Sequence, residues 1–247
     1  MNIFICDGSP ESFFTAVFDG YRDADCKITS EKDLQILLDS KFIKVAPDPE
    51  KVRRVTSGIS KYDKNALDDI IISLRSCDRR REQIAFEYIK TIFKMKMPVK
   101  NAFNLPEINA FNDILHKVTY EIHKIKGFLR FMVSATGALY APYSPDNNIT
   151  DLLMPHFTAR LGAQKFVIHD VKRKIAGLYN GSDWIMCPLD EPEIVISDDE
   201  KSFESLWKKY YSSVNIESRP HEKQMKGYMP VRYWKFLPEK QINSGAD

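Results

Sequence analysis

The sequence predicts an α+β protein in which a helix-rich N-terminal half packs on a C-terminal half built around an antiparallel sheet. Apolar residues recur with helical spacing through most of residues 1–126. Short apolar runs separated by turn residues replace them over 127–247. No linker rich in Pro, Gly or Ser divides the two halves. A single continuous domain over 1–247 is therefore predicted, with two docked subdomains, 1–126 and 127–247, as the alternative.

The N-terminal half opens with a strand that a glycine-containing turn joins to a helix ending near Tyr21. Ser9 suits the N-cap of that helix, and Pro10 suits its first position. The helical patterns that follow span residues 31–38, 49–59, 64–75, 79–97 and 107–126. The strand patterns of this half span residues 2–6 and 42–46.

The C-terminal half alternates strands with two helices. Strand patterns span residues 128–133, 138–143, 165–169, 175–179 and 183–187. Asn148 can cap a helix that Gly162 ends, and Asn180-Gly181 supplies a hairpin turn. A second helix follows Ser197, and the aromatic segment 229–237 is expected to pack onto the body.

The composition argues against several classes of protein. With 43% hydrophobic and 12% aromatic residues, the chain can bury a core, so disorder is not expected. No apolar stretch approaches the ~20 residues of a membrane-spanning helix, and the N-terminus lacks the pattern of a secretion signal. The four cysteines form no C-x-x-C pair. We expect a cytoplasmic protein with reduced thiols, no membrane contact, no metal and no cofactor.

Charge is unevenly distributed, although the net charge of the chain is only +2. Residues 51–130 hold 17 Lys and Arg against 9 Asp and Glu, a net charge of +8. The flanking segments are net −5 and −1. Such a segment indicates a polyanion partner if its cations share one face, and solvated helix surfaces if they do not.

Enzymatic motifs are scarce. The sequence contains no G-x-x-x-x-G-K-[ST], G-x-G-x-x-G, H-E-x-x-H or G-x-S-x-G pattern. The His169-Asp170 pair ends an apolar strand, and a histidine beside a carboxylate can act as a general base. His156, on a predicted helix, is the third candidate catalytic residue. The alternative is that these histidines are structural.

Basic residues cluster at the start of the helix at 79–97, around the junction at Gly127, in the turn after residue 170 and near the C-terminus. Cations there could contact phosphates, and C-terminal aromatic residues could stack on bases or lock the segment onto the fold. The candidate nucleic-acid contacts are Arg79, Arg80, Arg81, Lys124, Lys126, Arg130, Lys172, Arg173, Arg219, Arg232 and Trp234.

Several short motifs occur one after another along the chain. They are DGS at 7–9, GFLRF at 127–131, LYAP at 139–142, PHF at 155–157, IHD at 168–170 and RYW at 232–234. The series resembles an uncharacterised bacterial family described as DNA metabolism or DNA repair proteins. Its members are encoded beside a radical-SAM protein, and a related domain is fused to uracil-DNA glycosylase-like proteins. Two positions depart from the family pattern: Lys124 stands where arginine is usual, and His221 where asparagine is usual.

The resemblance implies a DNA-repair setting and a radical-SAM partner that holds the iron–sulfur cluster. This chain lacks a three-cysteine motif for such a cluster, which fits an accessory role. The leading hypothesis is therefore an accessory protein of DNA repair or DNA metabolism that binds DNA and works with that partner. One alternative is an enzyme acting on damaged nucleic acid, of glycosylase or hydrolase type, which needs His156, His169 and Asp170 in one pocket. The other is a protein-binding module with an exposed apolar patch.

Overall fold

The computed structural model describes residues 1–31, 40–190, 192–214, 226–227, 229–238 and 240. Contacts divide the chain into two compact units, Met1–Tyr120 (unit 1) and Glu121–Asp247 (unit 2). The predicted α+β class is confirmed, with helices dominating the N-terminal half and a five-stranded sheet in the C-terminal half. The prediction of one domain or two docked subdomains stays a prediction.

Unit 1 is built on a small parallel sheet with strand order β2-β1-β3. The strands are β1 (Asn2–Ile5), β2 (Cys26–Thr29) and β3 (Lys41–Lys44). Parallel neighbours need a crossover connection, and α1 (Pro10–Gly20) supplies it between β1 and β2. The sequence patterns missed β2, and the helix predicted at 31–38 lies almost wholly outside the described residues.

The other elements of unit 1 that the structure describes are helices, and their buried residues form its core with those of the sheet. These helices are α2 (Pro49–Tyr62), α3 (Ala66–Ser73), α4 (Arg81–Met95) and the first part of α5 (Pro106–Phe128). The Ser9 side chain accepts a hydrogen bond from the Ser12 amide, so the predicted N-cap of α1 is confirmed. In the core, the rings of Tyr88 and Phe111 stack with their centroids 3.7 Å apart.

Unit 2 contains a five-stranded sheet with order β4-β5-β6-β7-β8. The strands are β4 (Met132–Val133), β5 (Leu139–Tyr143), β6 (Phe166–Asp170), β7 (Ile175–Tyr179) and β8 (Trp184–Pro188). Three of the four pairings are antiparallel, as predicted, but β5 and β6 are parallel. The sheet is therefore mixed. The helix α6 (Thr150–Leu161) connects β5 to β6 as a crossover, so β6 begins at the same end of the sheet as β5 and runs in the same direction.

The helix α6 packs closely on the sheet at Gly177. A Cβ atom at that position would overlap the Met154 side chain, so any larger residue would force that buried methionine to shift. The glycine that weakens the β7 pattern in the sequence thus has a packing reason. Gly162 ends α6 as predicted, whereas Ile149 rather than Asn148 occupies the N-cap.

The remaining elements of unit 2 lie near the C-terminus. They are α7 (Asp198–Val214) and a short 3-10 helix (Val231–Phe236). The strand predicted at 128–133 is mostly wrong, because α5 continues to Phe128 and β4 holds only two residues. Over the described parts of the chain, no helix combines the length and apolar character needed to cross a membrane.

Candidate functional site

His169 is buried and fully hydrogen-bonded, with 2% of its surface exposed. Its Nε2 lies 3.1 Å from the Leu189 carbonyl, which can only accept, so Nε2 carries the proton. Its Nδ1 then accepts from the Tyr140 hydroxyl at 2.7 Å. Burial lowers the pKa of His169 and favours this neutral form. Both ring nitrogens are occupied, which is the geometry of a structural histidine.

Asp170 follows His169 on β6, so the two side chains point to opposite faces of the sheet. The Asp170 carboxylate is fully buried and accepts from the backbone amides of Lys172 and Arg173 at 3.0 and 3.1 Å. Its other oxygen lies 2.8 Å from Arg173 Nη1. Asp170 therefore fixes the turn between β6 and β7, and the structure does not bring it into one pocket with His169.

His156 lies on α6 and is partly exposed. Partial burial lowers its pKa first, and the nearby cations Lys126 and Arg160 lower it further. Because its charged neighbours are cations, His156 is better placed to contact an anion than to act as a general base, a role that a neighbouring carboxylate would support. The enzyme hypothesis, which needs His156, His169 and Asp170 together, thus gains no support from the geometry.

A buried network surrounds Glu121, whose side chain is 4% exposed. Its two oxygens accept from the amides of Asp146 and Asn147 at 2.9 and 2.8 Å and from the Asn147 side chain at 2.7 Å. The Tyr233 hydroxyl donates to the same carboxylate at 2.5 Å. Arg232 lies 3.5 Å from Glu121 and 2.9 Å from the Asp146 carboxylate. The network joins the loop after β5 to the C-terminal segment.

Most of the predicted phosphate-binding residues of unit 2 contact other groups of the protein. Arg173 donates to the carbonyls of Pro145 and Asp146 as well as to Asp170. Lys124 donates to the Gly227 carbonyl at 3.0 Å, and the Arg130 guanidinium lies 5.6 Å from the Trp207 ring centre.

Three predicted nucleic-acid contacts of unit 2 remain, namely Trp234, Lys172 and Arg219. Trp234 donates to the Met229 carbonyl at 3.0 Å, a hydrogen bond within the C-terminal segment itself. Lys172 is exposed. Arg219, with His221, lies outside the described residues.

The three arginines at the start of α4 do not share one environment. Arg81 is mostly buried and contacts Glu82 at 3.0 Å and the Ser30 hydroxyl. Arg80 pairs with Asp78 at 3.3 Å. Arg79 is 81% exposed and lies 3.8 Å from Glu31. Of these three predicted contacts, Arg81 therefore serves the fold, and Arg79 is the most accessible.

A cleft in unit 1, which the sequence patterns did not single out, has a volume of about 810 Å³. It lies between the C-terminal ends of α1 and α4 and one side of α2. Its lining residues are Val17, Phe18, Asp19, Tyr21, Arg22, Arg54, Val55, Gly58, Tyr62 and Phe93. This volume is in the range of small-ligand pockets.

Aromatic rings line much of this cleft. Tyr21 and Tyr62 both meet Phe93 edge-on, with ring centres 5.5 and 6.3 Å apart and interplanar angles of 79° and 71°. Gly58 lets Phe93 lie against α2, since a Cβ atom there would lie 3.2 Å from the phenyl ring. The cleft residues Phe18, Tyr21 and Arg22 derive from the short sequence FDGYR at 18–22, the one local signal that could have revealed the site.

Cations surround the aromatic lining. The Arg54 guanidinium lies 4.8 Å from the centre of the Phe18 ring, and the Lys51 ammonium lies 5.8 Å from it. Lys51 also pairs with the cleft carboxylate, Asp19, at 2.7 Å. Arg22 and Arg54 are exposed. Flat apolar surface beside exposed guanidinium groups suits a planar, anionic ligand.

The model of a family described as a domain of unknown function, DUF4130, matches residues 79–239. No curated protein matches the chain. The matched region contains Phe93, whereas the other residues that line the cleft precede it. Among the residues that the structure describes, no three His, Cys, Asp or Glu side chains are placed to hold a metal ion.

Proposed function

The chain belongs to the DUF4130 family, and we propose that it is a nucleic-acid-binding protein whose contact site is the aromatic and arginine-lined cleft of unit 1. The observation that carries the proposal is the joint placement of four aromatic rings and two exposed arginines on one concave surface. Phosphate groups favour guanidinium partners, and bases favour aromatic faces. The cleft offers both within one site.

The setting of this activity is proposed from the motif series that runs through the chain. Its resemblance to proteins of DNA metabolism supports DNA as the polyanion and an accessory role in repair. It also supports a radical-SAM protein as the partner. The basic segment 51–130 contributes Arg54 to the cleft, so its positive charge fits the same proposal.

Fluorescence anisotropy with labelled DNA oligomers across a salt series tests the proposal. Replacing both Arg22 and Arg54 by alanine is expected to weaken binding uniformly across sequences. It should lower the slope of log affinity against log salt by about one per arginine that contacts a phosphate. Arg53→Ala is the matched control, because this arginine is exposed on the same helix as Arg54 and does not line the cleft. Binding that is unchanged in the double variant would contradict the cleft as the contact site.

A second candidate function is protein binding through α7. Phe203 and Leu206 are 62% and 61% exposed, and Trp207 lies on the same face of the helix at helical spacing. An apolar helix face of this kind docks into a groove of a partner protein. We propose that the radical-SAM protein is that partner.

Co-elution of the two purified proteins in size-exclusion chromatography tests this docking. Leu206→Asp is expected to abolish co-elution, because it places a charge in the apolar face. Ser205→Asp adds the same charge on the opposite side of α7 and should leave the complex intact. Equal behaviour of the two variants would contradict α7 as the docking surface.

A further inference from the structure

Tyr21, Tyr62 and Phe93 of the cleft keep part of their surface exposed, unlike the buried pair Tyr88 and Phe111. Tyr88 and Phe111 stack face to face, with an interplanar angle of 8°, so each covers the other. In the cleft, Tyr21 and Tyr62 meet Phe93 at 79° and 71°, so these pairs do not cover one another face to face. Tyr21 is 41% exposed. Aromatic surface is thus available to a flat ligand.

The charges at the cleft determine whether it favours an anionic or a cationic ligand. Asp19 is the acidic residue in the cleft lining, and its two oxygens lie 2.7 and 2.9 Å from Lys51 Nζ. Because this carboxylate is paired, Arg22 and Arg54 set the local potential. A cationic ligand, which an aromatic cage would otherwise suit, is disfavoured by these arginines. An aromatic ligand that carries phosphate fits both the rings and the charges.

The concave shape further restricts the form of nucleic acid. In a duplex, each base is stacked on both faces, and its pairing edge is occupied, so a protein surface contacts mainly phosphates and groove edges. An aromatic ring inside a cleft can reach a base only when that base is unpaired and turned out of the stack. Aromatic lining therefore contributes to binding of single strands and little to binding of duplexes.

We propose that the cleft binds single-stranded nucleic acid by receiving an unpaired base against Tyr21, Tyr62 and Phe93, with the neighbouring phosphates on Arg22 and Arg54. This inference rests on the proposed function and names the form of ligand that the same site takes. Stacking and phosphate contacts are common to DNA and RNA, and parallel titrations with DNA and RNA strands of one sequence distinguish the two sources.

Titration of a single-stranded DNA oligomer containing 2-aminopurine tests the inference on the intact chain. Its fluorescence is expected to fall on binding, because the analogue stacks on an aromatic ring. Tyr21→Leu keeps apolar bulk and removes the ring. It is expected to weaken single-strand binding by about 5- to 150-fold, the equivalent of ~1–3 kcal/mol per stacked base, with an unchanged salt slope. Tyr21→Phe is the matched control and should retain binding.

The outcomes separate this inference from the proposed function. Equal affinity for single strands and duplexes, with dependence on Arg22 and Arg54 but not on Tyr21, would overturn the inference and leave nucleic-acid binding in place. Failure to bind either form at low salt would overturn both. Because Tyr21 is substantially exposed, its substitution should leave the fold intact, and fluorescence of the wild-type complex supplies a readout that needs no variant.

Discussion

The charged residues of the two units differ in what they contact. In unit 2, Glu121 and Asp170 are buried, and each accepts several hydrogen bonds that fix a loop or turn. In unit 1, Arg22 and Arg54 stand exposed beside the aromatic rings of a cleft. The first arrangement stabilises the fold, because hydrogen-bond and ion-pair partners compensate a buried charge for its lost hydration. The second leaves guanidinium donors available to a ligand.

Residues of the same type have different roles in the two units. Arg173 and Arg54 are both arginines in basic stretches of the sequence. Arg173 contacts two carbonyls and a buried carboxylate, whereas Arg54 is exposed and its guanidinium lies 4.8 Å from the centre of the Phe18 ring. A substitution that tests function should therefore affect ligand binding without affecting stability, and a substitution in the buried networks should do the reverse.

The largest effect is expected at Glu121. Replacing it with alanine leaves two backbone amides, the Asn147 side chain and the Tyr233 hydroxyl without their acceptor. The expected loss of unfolding free energy is about 3–5 kcal/mol, measured by urea denaturation. Glu121→Gln keeps the shape and part of the acceptor capacity, so its loss should be smaller. A loss below about 1 kcal/mol in the alanine variant would show that the network is not stabilising.

Arg81 provides the same test inside unit 1. Arg81→Ala removes the cation 3.0 Å from Glu82, whose side chain is 4% exposed, and leaves that carboxylate buried without its charged partner. We expect a loss of about 2–3 kcal/mol in urea denaturation. Arg80→Ala, at an exposed ion pair with Asp78, is the control and should change stability by less than about 1 kcal/mol. Equal losses in both variants would contradict the buried role of Arg81.

His169 should give a smaller effect that depends on pH. Its folded pKa is lowered below the ordinary value of 6.5. Above pH 6.5 the ring is neutral in both states, and as pH falls the unfolded chain binds the proton first, so stability decreases. His169→Gln should cost about 1–2 kcal/mol at pH 7.5 and should show a weaker decrease between pH 7 and 5. His123→Gln, at an exposed histidine of α5, controls for a general effect of removing a histidine. An unchanged pH profile in His169→Gln would show that this ring does not titrate on unfolding.

Local signals in the sequence predicted much of this fold. Ser9 and Pro10 mark the start of α1, and Gly162 marks the end of α6, because caps depend on neighbouring residues alone. Parallel pairing depends on distant segments instead. The strand β2 and the parallel alignment of β5 with β6 therefore escaped prediction.

The sites were harder to predict than the elements. Tyr233 reaches Glu121 across 112 positions of sequence, and the cleft combines residues of three helices. Apart from the short sequence FDGYR at 18–22, no periodicity or motif carries such information, since it arises only when the chain folds. The basic segment did predict an excess of positive charge, but it could not show that Arg81 is buried while Arg54 borders a cleft.

The smallest effect on stability is expected in the cleft itself. Arg54→Ala removes an exposed guanidinium that lies over Phe18, and the free energy of unfolding should change by no more than about 0.5 kcal/mol. The informative result is a difference between two variants. Arg54→Ala should weaken single-stranded DNA binding, whereas Arg81→Ala should reduce stability and leave the affinity of the folded protein unchanged. Urea denaturation and anisotropy on the same two preparations measure both quantities. If Arg54→Ala destabilised the protein as much as Arg81→Ala does, the guanidinium at the cleft would belong to the fold, and the contrast between exposed and buried cations would no longer distinguish binding from stability.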